Sequence, residues 1–171
     1  MIKNNILLTG PPRIGKTTII KKVIEAVDFR CAGFYTREIR DRNKRVGFML
    51  QTLDNKECVL SHITQSGPRV GKYGVDLTCI ERVGVSAIEK GITHKKGLII
   101  IDEIGKMELF STRFRSVALK ALDSEIPVLG TILLRPEPFC DRIKARDDVE
   151  IIEVTFANRN ILPEGIVARL T

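Results

Sequence analysis

Residues 10–17 are Gly10-Pro11-Pro12-Arg13-Ile14-Gly15-Lys16-Thr17, which match the pattern G-x-x-x-x-G-K-[ST] at every fixed position. They follow an apolar run typical of a strand, Ile6-Leu7-Leu8-Thr9, and precede apolar residues at helical spacing. Successive backbone N–H groups converge on a polyphosphate only where glycines permit a tight turn, and the N-terminal end of the following helix attracts the anion. The stretch therefore predicts a strand, a phosphate-binding loop and a helix.

Two side chains of this loop have predicted roles of their own. Lys16 is expected to reach the β and γ phosphates of a nucleotide, and Thr17 is expected to offer its hydroxyl to a Mg²⁺ ion that bridges them. Thr18 extends the helix start and completes the predicted nucleotide-binding set, which runs from Gly10 to Thr18. The helix itself is predicted from Ile20, Val23, Ile24 and Val27, which share one face.

A second informative stretch is Leu98-Ile99-Ile100-Ile101-Asp102-Glu103. A continuous aliphatic run is typical of a strand buried on both faces of a parallel sheet, and ligands of such sheets bind beyond the carboxyl ends of the strands. Asp102 is therefore the predicted second anchor for Mg²⁺, directly or through a water molecule. Glu103 is the predicted general base, or the group that positions an attacking water.

The segment between these two stretches is rich in β-forming residues. Residues 31–63 are interrupted at Arg42-Asn43 and Asp54-Asn55, which predicts antiparallel hairpins beside the parallel sheet, with Phe34 and Tyr35 packing on that sheet rather than clamping a base. Residues 64–78 are predicted to form an irregular loop, followed by a helix at about residues 84–94. Lys72, Tyr73 and Gly74 in that loop either cover the nucleotide or form a plain connection.

The last third of the chain predicts a helix at residues 111–122, strands at 127–132 and 149–154, and a closing helix capped by residues 158–160. Thr131, at the end of a strand, could sense the γ phosphate. Arg135 could stabilise charge in the transition state, and so could the basic residues of the next helix. Those residues are Arg142, Lys144 and Arg146.

Composition limits the alternatives. A chain of 171 residues suits one domain covering residues 1–171, and the N-terminus lacks signal-peptide features, so we expect a cytoplasmic protein without a membrane anchor. The net charge of +7 suits a polyanionic ligand, either a nucleotide or nucleic acid, but there is no long basic run and only 5% of the residues are aromatic. Cys31, Cys58, Cys79 and Cys140 are widely spaced and are expected to be free thiols.

The chain resembles the small P-loop nucleoside-triphosphatase family that includes the cancer-related nucleoside-triphosphatase and its thermophile relatives. The similarity runs nearly end to end and rests on GPPRIGKTT, GFYTREIR, VGKYGVDL, IDEIGKMEL, PVLGTI and residues 157–163, with Ala157 standing where a polar residue is expected. This resemblance implies Mg²⁺-dependent hydrolysis of nucleoside triphosphates with loose base preference. It also implies the catalytic-glutamate, or RecA-like, branch of the fold. Lys106 and Glu108, within IDEIGKMEL, are further candidate site residues.

The predicted architecture is a three-layer α/β sandwich in which a mostly parallel central sheet carries an antiparallel hairpin addition. The predicted activity is hydrolysis of ATP, GTP and other nucleoside triphosphates by a monomer. Transfer to a hydroxyl of a nucleotide or of a nucleic-acid 5′ end uses the same phosphate cradle, so a kinase is the first alternative. A nucleotide-operated binding switch with slow hydrolysis is the second.

Overall fold

The computed structural model describes residues 5–171, which form one mixed sheet with helices packed against it. The strands are β1 (Asn5–Thr9), β2 (Cys31–Asp41), β3 (Lys44–Thr52), β4 (Glu57–His62), β5 (Arg69–Val70), β6 (Tyr73–Val75), β7 (Leu98–Ile104), β8 (Val128–Ile132) and β9 (Val149–Glu153). The helices are α1 (Lys16–Ala26), α2 (Leu77–Cys79), α3 (Ser86–Thr93), α4 (Thr112–Asp123), α5 (Pro138–Lys144) and α6 (Leu162–Leu170). A π-helical segment, Ile80–Val85, joins α2 to α3, and a 3₁₀ turn, Glu108–Phe110, precedes α4.

The strand order is β5-β6-β4-β3-β2-β7-β8-β1-β9. Strands β2, β7, β8, β1 and β9 are parallel, whereas β2 pairs antiparallel with β3 and begins the hairpin addition. The predicted α/β architecture with an antiparallel addition is therefore confirmed. Since β8 lies between β1 and β7, the carboxyl ends of all three strands meet at one edge.

Alternating side chains of the parallel strands supply two separate cores. Leu7, Ile99 and Ile101 pack on one face of the sheet, and α3, α4 and α5 cover that face. Ile6 and Ile100 pack on the opposite face, together with buried residues of α1 and α6 such as Ile20 and Ile166. Because successive residues of a strand point to opposite faces, an uninterrupted aliphatic strand can serve both cores.

Two predictions about the middle of the chain were wrong in detail. Residues 64–78 are not one irregular loop, because β5 and β6 form a short hairpin at the sheet edge, with Val75 on β6 paired to Ser61 on β4. The following helical segment begins at Leu77, well before Gly84, because the Asp76 carboxylate accepts hydrogen bonds from the N–H groups of Thr78 and Cys79. The pairing of β6 with β4 and β5 supplies hydrogen-bond partners for the backbone, and the glycine-rich sequence does not predict that pairing.

The prediction that all four cysteines are free was also wrong. Cys58 on β4 and Cys79 at the end of α2 form a disulfide, with their Cα atoms 5.7 Å apart. The strand pairing of β4 with β6 brings these residues together, and their separation of 21 positions gives no recognisable spacing motif. Cys31 and Cys140 are free thiols, as expected.

The closing helix begins without the predicted cap. Ile161 occupies the N-cap position of α6, and no side chain caps that helix end. Asn158 instead organises the preceding turn, because its side chain accepts a hydrogen bond from Thr155 N–H and donates one to the Glu153 carbonyl. Local hydrogen bonding by asparagine favours the turn over the helix start in this case.

Candidate active site

The phosphate loop connects β1 to α1 and depends on its two glycines. Gly15 adopts φ = 113° at the N-cap of α1. Gly10 adopts φ = 144°, and a Cβ on it would lie 3.0 Å from the carbonyl oxygen of Val154, the residue after β9. L-residues with side chains rarely adopt these φ values. The loop therefore packs closely against the segment that follows β9. Its two glycines permit both this close approach and the tight turn.

Lys16 is folded back onto this loop. Its Nζ donates hydrogen bonds to the carbonyl oxygens of Gly10, at 2.8 Å, and Pro11, at 3.0 Å. The ammonium group is thus held at the loop, while Thr18 is exposed beside it at the start of α1. This arrangement places a positive charge where the loop would receive a phosphate chain.

Asp102 lies beside the loop at the carboxyl end of β7, with only 3% of its surface exposed. Its Oδ2 accepts a hydrogen bond of 2.6 Å from the Thr17 hydroxyl, and its Oδ1 accepts one of 2.6 Å from the Thr131 hydroxyl on β8. Burial raises the pKa of Asp102, and the two hydroxyl donors partly offset that effect. The contact between Thr17 and Asp102 joins the two predicted metal-binding residues, which are 85 positions apart in the chain.

Two further carboxylates lie next to Asp102. Burial, and then the charge of Asp102, raise the pKa of Glu103 to about 6, while the nearby Lys16 lowers it. Glu108, in the 3₁₀ turn, is buried, and its burial, followed by the charge of Glu103, raises its pKa well above the usual range. Glu103 and Glu108 are thus close enough to repel one another, and a proton on Glu108 relieves that repulsion.

The predicted basic residues of the last third are distributed around the sheet. Arg135 is exposed beyond the end of β8, and Arg142 stacks near the ring of Phe139 on α5. Lys144 contacts Asp141, with 3.8 Å between the charged atoms. Arg146 binds Asp148, which precedes β9, so it lies at the amino-end edge of the sheet, opposite the phosphate loop. Arg146 is therefore excluded as a residue that stabilises the transferred phosphate.

Tyr73 and Lys72 belong to the hairpin at the sheet edge. Tyr73 is buried against Phe48, with ring centroids 5.4 Å apart, and its hydroxyl accepts a hydrogen bond of 2.9 Å from Arg45 Nε. Arg45 also binds Glu38, which lies 3.8 Å from the Arg13 guanidinium of the phosphate loop. Tyr73 is therefore linked to the phosphate loop through Arg45, Glu38 and Arg13. The ammonium group of Lys72 lies over the Tyr73 ring. Lys106 is exposed in the segment after β7.

Arg159 is a loop-contacting residue that the sequence interpretation did not select. Its Nη1 donates a hydrogen bond of 3.4 Å to the Ile14 carbonyl, and its Cδ lies 3.9 Å from the position of a Cβ on Gly15. The only signal for it was the stretch of residues 157–163 on which the family resemblance drew. No local pattern indicates a contact across 145 positions.

Comparisons with known proteins agree on one family. A family model described as NTPase matches residues 5–167. The nucleoside-triphosphatase THEP1 of Thermotoga petrophila is 47% identical over 163 residues, which cover 95% of this chain and 90% of that protein. The crystal structure of THEP1 from Aquifex aeolicus superposes with a TM-score of 0.89 at 34% identity, covering 97% of this chain and 98% of that one. The solution structure of a human cancer-related nucleoside triphosphatase gives a TM-score of 0.81 at 36% identity, covering 96% and 95% respectively.

Proposed function

This chain belongs to the NTPase family, and we propose that it hydrolyses nucleoside 5′-triphosphates, ATP and GTP among them, to the diphosphate and phosphate. The observation that carries the proposal is the contact of 2.6 Å between Thr17 on the phosphate loop helix and Asp102 at the end of β7. It supports the proposal because it joins the phosphate-loop helix to the end of β7, where Asp102 and Glu103 follow one another. Residues 1–171 act as a single catalytic domain in this proposal.

The phosphate loop binds the triphosphate in this scheme. The backbone N–H groups of residues 10–18 hold the phosphate oxygens, and Lys16 exchanges its contacts with the Gly10 and Pro11 carbonyls for the β and γ phosphates. Lys16 then neutralises negative charge that develops as the γ phosphate departs.

The residues present fit a Mg²⁺ ion. Magnesium prefers oxygen ligands, keeps several waters, and is usually bound through one or two carboxylates together with substrate phosphates. The Thr17 hydroxyl and the Asp102 carboxylate supply two oxygens, and within residues 5–171 there is no cluster of three or more His, Cys, Asp or Glu that would hold the ion alone. When bound, Mg²⁺ neutralises charge on the β and γ phosphates. Thr131 orients Asp102 from the buried side.

Glu103 is the proposed general base. Its pKa of about 6 makes it ionised at neutral pH and still basic enough to accept a proton from water. Its position directly after Asp102 supports assignment of the chain to the catalytic-glutamate, RecA-like branch. Burial raises the pKa of Glu108 further from its usual value, so of the two neighbouring carboxyl groups Glu103 is the one assigned to accept the proton.

Phosphate release from Mg-ATP, Mg-GTP, Mg-CTP and Mg-UTP tests the proposal. We expect steady release from each nucleotide with no added acceptor, and loss of release when the metal is chelated. The same reaction with RNA 5′ ends and small hydroxyl compounds separates the alternatives. Transfer of the γ phosphate to such an acceptor, with no phosphate release in its absence, would identify a kinase, and phosphate release that a partner protein must stimulate would identify a switch.

A further inference from the structure

The segment that follows β9 carries an aromatic ring that the fold leaves in solvent. Phe156 is 76% exposed, the largest exposure among the big apolar side chains of residues 5–171. The Arg159 guanidinium lies over its ring, with Cζ 4.8 Å from the ring centroid. The two side chains form a stacked cation–π pair, which we term the Phe156–Arg159 pair.

The segment that carries this pair is joined to the phosphate loop, and Arg159 contacts the loop itself. The N–H of Val154 donates a hydrogen bond of 2.8 Å to the carbonyl oxygen of Thr9, the residue before the loop. Arg159 then contacts the loop itself at Ile14 and Gly15. The turn between these contacts is held by the Asn158 side chain, so hydrogen bonds within the segment fix the backbone that carries the pair.

The direction of the bound nucleotide follows from the strand order. Asp102 and Glu103, which serve the γ phosphate in the proposed function, lie near the carboxyl end of β7, two strands from β1 on one side. The Phe156–Arg159 pair follows β9, which neighbours β1 on the other side. A triphosphate with its γ end toward β7 therefore directs its α phosphate and nucleoside toward β9.

We propose that the Phe156–Arg159 pair is the surface on which the base of the nucleoside triphosphate stacks, an inference that rests on the proposed function. Every base has a π face that can stack on a phenyl ring or a guanidinium plane, so this contact adds affinity without selecting one base. Phe156 offers no hydrogen-bonding group to read base edges. The pair thus explains in physical terms why base preference should be loose.

Binding measurements with and without a base test this inference. The ligands are the Mg²⁺ complexes of the β,γ-imido analogue of ATP and of inorganic tripolyphosphate, titrated by calorimetry. Phe156→Ala should weaken binding of the nucleotide about tenfold, equivalent to about 1.4 kcal/mol and within the range for stacking a base on an aromatic side chain. Its affinity for tripolyphosphate should stay within about twofold of wild type, and Phe156→Trp should retain nucleotide affinity.

Ile161→Ala is the matched control, because Ile161 is 69% exposed in the same connecting segment and should affect neither ligand. Unchanged nucleotide affinity in Phe156→Ala would overturn the inference. So would an equal loss for both ligands, because the ring would then act through the phosphate loop rather than the base. If wild-type protein binds neither ligand, the proposed function fails first. The analogues of GTP and CTP should show the same loss, and a loss confined to one base would contradict unselective stacking.

Discussion

Glu103→Gln is the substitution that separates catalysis from binding most sharply. Glutamine keeps the size of the side chain but cannot accept the proton of the attacking water. Size matters because the space beside Gly105 is tight: a Cβ added there would lie 2.8 Å from Glu103 Oε1. A positioned general base contributes roughly 10²–10⁴-fold to rate. We therefore expect kcat to fall at least about 10²-fold while affinity for Mg-ATP stays close to that of wild type.

The same substitution should stabilise the folded protein. The rise in the pKa of Glu103 from 4.5 to about 6 corresponds to about 2 kcal/mol, since a tenfold change in proton affinity is worth about 1.4 kcal/mol. The fold favours the protonated form, so the wild type loses this stability as the pH rises through about 6. Glutamine cannot ionise. Its free energy of unfolding should exceed that of wild type by up to about 2 kcal/mol at pH 7.5, and the difference should vanish below about pH 4.5.

The assay combines phosphate release, nucleotide calorimetry and urea unfolding in metal-free buffer at several pH values. Glu164→Gln, on the exposed side of α6, is the control and should match wild type throughout. Asp102→Asn should differ from Glu103→Gln and from Glu164→Gln, because it removes a carboxylate proposed to bind Mg²⁺. We expect it to weaken both the Mg²⁺ dependence of the reaction and nucleotide binding. Wild-type turnover in Glu103→Gln would refute the general-base role. A loss of turnover that follows a loss of affinity would mean that Glu103 binds the ligand instead.

Three further outcomes are expected. Lys16→Ala should fold normally and lose at least about 10²-fold in turnover, because the loop loses its charge on the triphosphate; wild-type rates would contradict the phosphate-loop assignment. The kcat/KM values for ATP, GTP, CTP and UTP should agree within about 10³-fold, and a larger preference would require a base-reading pocket. Asp148→Asn should lower the free energy of unfolding by about 1 kcal/mol at pH 7, because hydrogen bonds from Arg146 lower the pKa of Asp148. That deficit should shrink as the pH falls below 3.8, and urea titrations that show a constant deficit would argue against the ion pair.

The sequence by itself determined the features that need only neighbouring residues. A phosphate loop requires two glycines and a lysine at fixed spacing, and a buried parallel strand is typically a continuous aliphatic run, so β1, α1 and β7 were predictable, together with the side chains that the proposed function uses. The hairpin turns at Arg42-Asn43 and near Asn55 were predictable for the same reason, because residues there adopt positive φ values that asparagine tolerates.

Only the tertiary structure decided which residues contact the phosphate loop and Asp102, because residue order along the chain does not set the lateral order of strands in the sheet. Placing β8 between β7 and β1 turns Thr131 into a partner of Asp102, and placing β9 beyond β1 brings Arg159 to the phosphate loop. The disulfide between Cys58 and Cys79 follows likewise from the pairing of β4 with β6. Such contacts join residues tens of positions apart, and they form only when the sheet fixes its strand order and register.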